Sequence, residues 1–402
     1  MSQNKLKDIF SSFINKKPLF NNKKVLQANY TPENIPHRND LIEQIGKILA
    51  PCLRNELPSN LFIYGKTGSG KTLSVKSVTN LIEKTAVEQK INIKIVYVNC
   101  KLKRVADTEY RLIAQLAREF GQSIPPTGLP TDEVYKLFFN IIDIEKQLVI
   151  LVLDEIDQLV KKAGDEILYN LTRINSELKN AQINLIGISN DLVFVNNLDP
   201  RVKSSLSEEE ILFPPYNAMQ LQSILQERAK LAFEENIIET GVIEKCAAYA
   251  AREHGDARRA LELLRVAGEL AEREGETTIK IENIDQAESK IERDRILDIV
   301  KTQPKQFQIV LFSIFSISLQ NMNNIQTGTV YENYKNLCPK TGLRPLTQRR
   351  VSDIIAELDM LGIINAKLIN LGRYGRTKEI TLATPPSTTP KLLKILRESL
   401  NF

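Results

Sequence analysis

One lysine, one threonine, two acids and an amide stand where they could manage a triphosphate. Gly65, Lys66, Thr67, Gly68, Ser69, Gly70, Lys71 and Thr72 satisfy GxxxxGK[ST]. Glycines there let consecutive backbone N–H groups turn toward phosphate oxygens, and the helix that follows adds a favourable dipole. Lys71 then reaches the β and γ phosphates, and the Thr72 hydroxyl ligates magnesium. Asp154 and Glu155 follow the apolar run in LVILVLDEID, residues 148–157. Asp154 suits the metal, and Glu155 suits a base that orients and polarises water. Asn190 ends INLIGISND, which starts at residue 183. It could contact the γ phosphate or the attacking water; a helix cap is its other reading. The expected ligands are a nucleoside triphosphate and Mg2+, and the expected chemistry is hydrolysis of the γ phosphate.

These groups need rigid supports. Leu61 to Tyr64 reads as a strand running into the glycine loop, and Leu73, Val75, Val78, Leu81 and Ile82 read as the buried face of the helix after it. Six apolar residues in a row before Asp154 fit a strand covered on both faces. IKIVYVNC from 93 and EILF from 210 bring the strand candidates to five, alternating with helical stretches. That rhythm predicts an α/β fold with a parallel sheet. Residues 217–290 repeat apolar positions at three and four spacing and predict a helical lid.

The chain has 402 residues, enough for two or three cores, with 42 % hydrophobic and 26 % charged residues. Its first 18 residues have no apolar segment with a small-residue cleavage site, and no later run is apolar enough to span a bilayer. A cytoplasmic protein without a membrane partner is the expectation. Cysteines at 52, 100, 246 and 338 form no CxxC pair, and only His37 and His254 exist. Zinc sites and histidine-based nucleophile schemes are thereby disfavoured.

The net charge of +5 is unevenly spread. Residues 296–402 carry 14 Lys+Arg against 7 Asp+Glu, while residues 1–295 carry 40 against 42. A basic last quarter suggests an acidic polymer as partner. FQIVLFSIFSISL from 307 reads as a buried helix, TGTVYENYKNLC as a second and LTQRRVSDIIAELDMLGII from 346 as a third. AKLINLG and TKEITLA read as two strands around Arg373, Tyr374 and Arg376, completing a winged helix. Val351, Ile354, Ile355, Leu358 and Leu361 form the buried side of the third helix. Thr347, Gln348, Arg349 and Ser352 are thus left toward solvent for base contact in a major groove, with Arg350 free for DNA or an ion pair. Arg373 and Arg376 suit a minor groove or phosphates. Docking of a protein is the other use of such a module.

Taken together, these motifs resemble an AAA+ ATPase, and more narrowly the archaeal replication initiators related to origin recognition complex subunit one and the cell-division-cycle helicase loader. LDPRVKSSL (198–206) is similar to the stretch after sensor one and implies Arg201 as an arginine finger, in trans if copies assemble, or else a local ion pair. HGDARRALELL (254–264) is similar to the sensor-two helix and implies Arg258 as a γ-phosphate contact. YTPENIPHRND (30–40) implies Pro36, His37 and Arg38 near the adenine. GQSIPPTGLPTDEVYKLF (121–138) resembles the initiator insertion that touches DNA, where Pro125, Pro126, Thr127, Gly128 and Leu129 could press on a minor groove; a plain surface loop has the same composition.

The resemblance runs from about residue 25 to the end. It implies an ATPase base at 25–215 that takes ATP or ADP with Mg2+, a lid at 216–293 and a winged helix at 294–402; residues 1–24, lysine-rich and weakly patterned, read as a mobile basic arm. It also implies duplex origin DNA and the replicative helicase as partners, other initiator copies or paralogues as possible ones, and slow hydrolysis as a switch. Two rivals stand beside it: an ATPase whose winged helix docks a protein, and an ADP-locked DNA-binding regulator.

Overall fold

Among the described residues of the first unit, runs rich in β-branched and aliphatic residues make five strands: β1 (Asn60–Gly65), β2 (Ile93–Asn99), β3 (Leu148–Asp154), β4 (Gln182–Ser189) and β5 (Glu208–Phe213). The computed structural model describes residues 18–32, 34–101, 106–125, 127–194, 198–206, 208–319, 325–370, 376–384 and 388–401. Pairing is parallel throughout, in the order β2-β3-β4-β1-β5. Parallel neighbours need crossovers, so helices cover both faces. They are α1 (Asn39–Leu49), α2 (Lys71–Gln89), α3 (Glu109–Glu119), α4 (Thr131–Ile142), α5 (Ile156–Ala163), α6 (Glu166–Arg173) and α7 (Pro200–Leu206).

Every residue of β3 is buried. Leu148, Ile150 and Val152 pack with Val75, Val78 and Ile82 of α2 on one face, while Val149, Leu151 and Leu153 pack with Leu112, Phe138 and Leu159 on the other. Leu81, expected on the buried stripe of α2, lies beyond its edge and is exposed. Because β4 separates β1 from β3, the carboxyl ends of all three strands meet at one rim, where ligands of open α/β sheets bind.

The lid follows as α8 (Ala218–Ala232), α9 (Val242–Arg252) and α10 (Ala257–Glu274). Asn217 and Gln220 form a reciprocal capping box at the start of α8. Asp256 caps α10 by accepting from Arg258 N and Arg259 N, and Gly275 ends it at φ 79°.

Of the arm expected at 1–24, residues 18–24 are described, and they pack on the lid. Leu19 is buried, its N–H donates to Glu272, and Phe20 packs on Phe233 with ring centroids 4.7 Å apart. A 3-10 turn at Lys23–Leu26 buries Val25 and Leu26. These apolar residues fasten the segment to the lid, a role hidden by the lysines around them.

Met1–Ile284 and Asp285–Phe402 form separate units, divided within α11 (Ile281–Thr302), the helix that also holds the boundary expected at residue 294. The second unit contains α12 (Lys305–Leu319), α13 (Thr327–Leu337), α14 (Gln348–Met360) and α15 (Thr389–Leu400), with strands β6 (Ile325–Gln326), β7 (Ile364–Asn370) and β8 (Arg376–Leu382). The sheet has three strands, β6-β8-β7, where two were expected. α15 adds Leu392, Leu393, Leu396 and Leu400 to the core around Phe315 and Tyr334. On α14 the expected residues Val351, Ile354, Ile355 and Leu358 are buried, but Leu361 caps the helix and is 37 % exposed.

Candidate nucleotide site

At the rim, β1 ends in Gly65 and the chain loops into α2. Gly68 and Gly70 take φ of 68° and 94°, a region that admits glycine without strain. Lys71 is only 5 % exposed. Its ammonium donates to Gly65 O at 2.7 Å, Lys66 O at 2.8 Å and Asn190 Oδ1 at 2.9 Å. Asn190 thus bridges the end of β4 to the loop lysine. Burial pushes Lys71 down to about 8, more than the Asp154 carboxylate restores, and Arg258 pushes the same way.

The Thr72 hydroxyl donates to Asp154 Oδ2 at 3.0 Å, and the Tyr97 hydroxyl donates to the same oxygen. The two expected metal ligands are therefore adjacent oxygen donors on a cavity wall, a set that fits a hard divalent ion such as magnesium. Such an ion, when bound, neutralises charge developing on a transferred phosphoryl group. Glu155 sits at φ 55°, unusual for a residue with a side chain, and Lys101 Nζ lies 3.7 Å from its Oε2. Asp157 accepts from Ser189 Oγ at 3.3 Å and Asn190 N at 3.4 Å, which fixes the turn after β4.

A cavity of about 460 Å3 joins these groups to the lid. Gly68 to Thr72 line one end; Tyr30, Ile35, Pro36, Tyr216 and Ile224 line another. The lid touches the loop directly: Ala257 N donates to Gly68 O at 3.3 Å, and a Cβ on Gly68 would meet Asp256 Oδ1 at 1.8 Å. A side chain at Gly68 would force the Asp256 carboxylate from its place capping α10.

The chain matches the models of the AAA domain over residues 54–193, the Cdc6 AAA+ ATPase-type lid domain over 222–289 and the CDC6 C-terminal winged helix domain over 298–391. The ORC1-type DNA replication protein of Thermococcus onnurineus is 52 % identical over 390 residues, covering 96 % of this chain and 93 % of that relative. The chain belongs to the ORC1-type DNA replication protein family. ORC1-type DNA replication protein 1 of Methanosarcina mazei is 50 % identical over 392 residues, with coverage of 96 % and 93 %. Among solved structures, the Aeropyrum pernix ORC1 protein in complex with DNA has a TM-score of 0.82 and 43 % identity, covering 95 % of this chain and 98 % of that one. Cdc6p from Pyrobaculum aerophilum, 23 % identical with a TM-score of 0.60 over 95 % and 99 % of the two chains, shares the fold.

In this ORC1-type chain Arg258 lines the cavity beside Lys71 and Asp154, and Pro36 lines its far end. His37 is exposed at a turn with φ 60°. Arg38 is buried beneath Tyr216, 3.8 Å from the ring centroid, and donates to Ser69 O at 2.9 Å and Pro214 O at 2.5 Å. Its donors therefore brace the phosphate loop. Arg201 is 85 % exposed and pairs with Asp199 at 3.2 Å, away from the cavity of its own chain.

On α14, Gln348 and Arg349 are exposed at the N-terminal end, Thr347 caps that end through Arg350 N, and Ser352 O accepts from Lys378 Nζ. Arg350 faces Glu357 at 3.5 Å and Asp353 at 3.9 Å. Pro125, Thr127 and Gly128 are exposed, but Leu129 packs against the core. Pro126, Arg373 and Tyr374 fall outside the described residues, as does the Arg376 side chain.

Tyr97 and Asp157 were not expected at the site. Asp157 lay in view three residues after Asp154, whereas Tyr97 reads as one more strand residue until the pairing of Asn99 with Asp154 brings β2 alongside.

The depressed Lys71 makes a pH prediction. Its folded value lies below the ordinary 10.5, so between pH 8 and 10.5 the unfolded chain holds more protons and the nucleotide-free protein gains stability as pH rises. Phosphate binding requires the charged form. Affinity for ATP is expected to fall above pH 8, by up to about tenfold per pH unit, with proton uptake near zero at pH 7 and approaching one at pH 9. Calorimetry in buffers of different ionisation enthalpy measures this; a flat profile would reject it.

Proposed function

We propose that this protein is an ATP-controlled replication initiator that binds duplex origin DNA through its winged helix and helps recruit or load the replicative helicase. The observation that carries the reading is the 43 % identity, over 95 % of the chain, to an ORC1 protein solved in complex with DNA. Exposed Gln348 and Arg349 on α14 support base contact, since glutamine suits adenine and arginine suits guanine. The basic charge of residues 296–402 supports phosphate contact, to which Arg373, Tyr374 and Arg376 of the wing contribute. Thr347 and Ser352 join the interface from α14, and Pro125, Pro126, Thr127 and Gly128 meet DNA from the base domain.

ATP binds with magnesium held by Thr72 and Asp154. Lys71, Asn190 and Arg258 hold the γ phosphate, and Glu155 orients water. The direct contact of Asp256 and Ala257 with Gly68 lets phosphate occupancy reach the lid. Hydrolysis is slow and acts as a release switch, so turnover on the order of hundreds per second would contradict it. Arg201, exposed on its own chain, reaches the site of a second initiator copy. The protein works at the nucleoid, in the cytoplasm.

The test is binding of an origin duplex across salt concentrations. Affinity should fall steeply with salt, and Arg349→Ala should cost roughly 1 to 3 kcal/mol if it reads a base. Equal affinity of the variant and the parent protein would remove the base-reading role. A weak response to salt would favour a protein partner for the winged helix.

A further inference from the structure

Tyr97 stands where the core of the sheet gives way to the cavity. Side chains alternate across a strand, so Ile93, Ile95 and Tyr97 of β2 share the face that packs toward α2, while Val96 and Val98 join the opposite core. Asn99, the next residue on the α2 face, already lines the cavity. The Tyr97 ring therefore ends an apolar row, and Lys76 of α2 sits over it with Nζ 4.5 Å from the centroid. Parallel register pairs Asn99 with Asp154, which brings the Tyr97 hydroxyl against that carboxylate.

An ionised carboxylate only accepts hydrogen bonds, through two lone pairs on each oxygen. Asp154 Oδ2 accepts from two hydroxyls, Thr72 at 3.0 Å and Tyr97, while Oδ1 accepts from Glu155 N at 3.0 Å. The carboxylate is thus held from α2, from β2 and from the turn into α5. The consequence falls on Thr72. With its proton directed to Asp154, the Thr72 oxygen keeps its lone pairs for a cation; a carboxylate free to swing would take that proton direction with it. We propose that Tyr97 is a positioning residue for the metal: its hydroxyl holds Asp154 in the orientation in which Thr72 donates to the carboxylate and offers its own oxygen to the ion. Filling the core requires only the ring, which phenylalanine would supply. Tyr135 shows the structural form of the same pair: its hydroxyl donates to Glu109, which also accepts from Asn170, and these three residues do not line the cavity.

This rests on the nucleotide and magnesium reading above, and the experiment separates the two. The full chain and Tyr97→Phe, which lacks one oxygen and keeps the ring, are each filled with the β,γ-imido analogue of ATP, which resists hydrolysis. Manganese affinity is read from the paramagnetic resonance signal of the free ion, and magnesium affinity by competition against it. The variant should bind both ions about tenfold more weakly, as when a hydrogen bond to a metal ligand is removed elsewhere. Its affinity for the analogue in EDTA should equal the parent's, because no phosphate contact is touched. Hydrolysis of ATP should need about tenfold more free magnesium for half its maximum, yet come within about threefold of the parent rate at saturation. Unchanged metal affinity, tighter metal binding, or a loss of analogue affinity in EDTA would each overturn the assignment. Tighter binding would make the hydroxyl a competitor of the ion, and a loss in EDTA would make it a support of the fold. Failure of the parent protein to bind the analogue, or to take up manganese once filled, would instead reject the nucleotide and magnesium reading.

Discussion

Lys71→Ala is expected to weaken ATP binding by about 10²- to 10³-fold, because charge-assisted hydrogen bonds to phosphate contribute roughly 1.5 to 3 kcal/mol each and this ammonium can supply more than one. The geometry separates that loss from misfolding. Lys71 is buried with its pKa depressed, so its charge is disfavoured in the empty site and its removal relieves desolvation. What is lost locally is donation to Gly65 O, Lys66 O and Asn190 Oδ1; Asn190 and Lys71 itself line the cavity, so water entering the space left by the lysine can take over as donor. The nucleotide-free variant should therefore melt near the parent temperature while titration with a fluorescent ATP analogue shows little binding. Retained affinity would mean that the loop is not the phosphate site. If binding is lost but origin occupancy and helicase recruitment are unaltered, nucleotide state does not govern DNA engagement.

That coupling depends on elements of unequal visibility in the sequence. The sheet was legible because β3 is buried on both faces and therefore reads as an unbroken apolar run, and the phosphate loop because its glycines and Lys-Thr answer to backbone geometry alone. Lys71, Thr72, Asp154 and Asn190 converge because each lies at the end of a strand or the start of a helix, positions that sequence marks well. Tyr97 and Arg38 were obscure for opposite reasons. Tyr97 alternates like any strand residue and acquires meaning only through the parallel register of β2 on β3. Arg38 carries a charge that suggests a ligand, yet tertiary packing under Tyr216 turns its donors onto backbone carbonyls. β6 has two residues, too few for any periodicity, and exists because β8 offers it an edge. Leu19 to Leu26 is short and lysine-flanked, so its burial against the lid depends on partners more than 200 residues away, such as Phe233 and Glu272.

Glu155→Gln is expected to lower ATP hydrolysis by roughly 10²- to 10⁴-fold while changing ATP affinity only a few-fold, the signature of a lost base in an intact site. The two adjacent acids are placed differently. Asp154 is buried and accepts from Thr72 and Tyr97, so altering it disturbs the metal and loop together. Glu155 supplies no side-chain cap to α5, and its carboxylate lines the cavity with Lys101 3.7 Å away. Glutamine keeps the shape and removes the base without loosening the fold. Glu155 itself holds φ 55° at the start of α5, a conformation that costs energy for a residue with a side chain. Single-turnover hydrolysis beside equilibrium ATP binding separates the two effects. Should Glu155→Gln hydrolyse at the parent rate, the base must be sought elsewhere, and the neighbouring carboxylate, Asp157, is a poor replacement: it is buried and already accepts from Ser189 and Asn190.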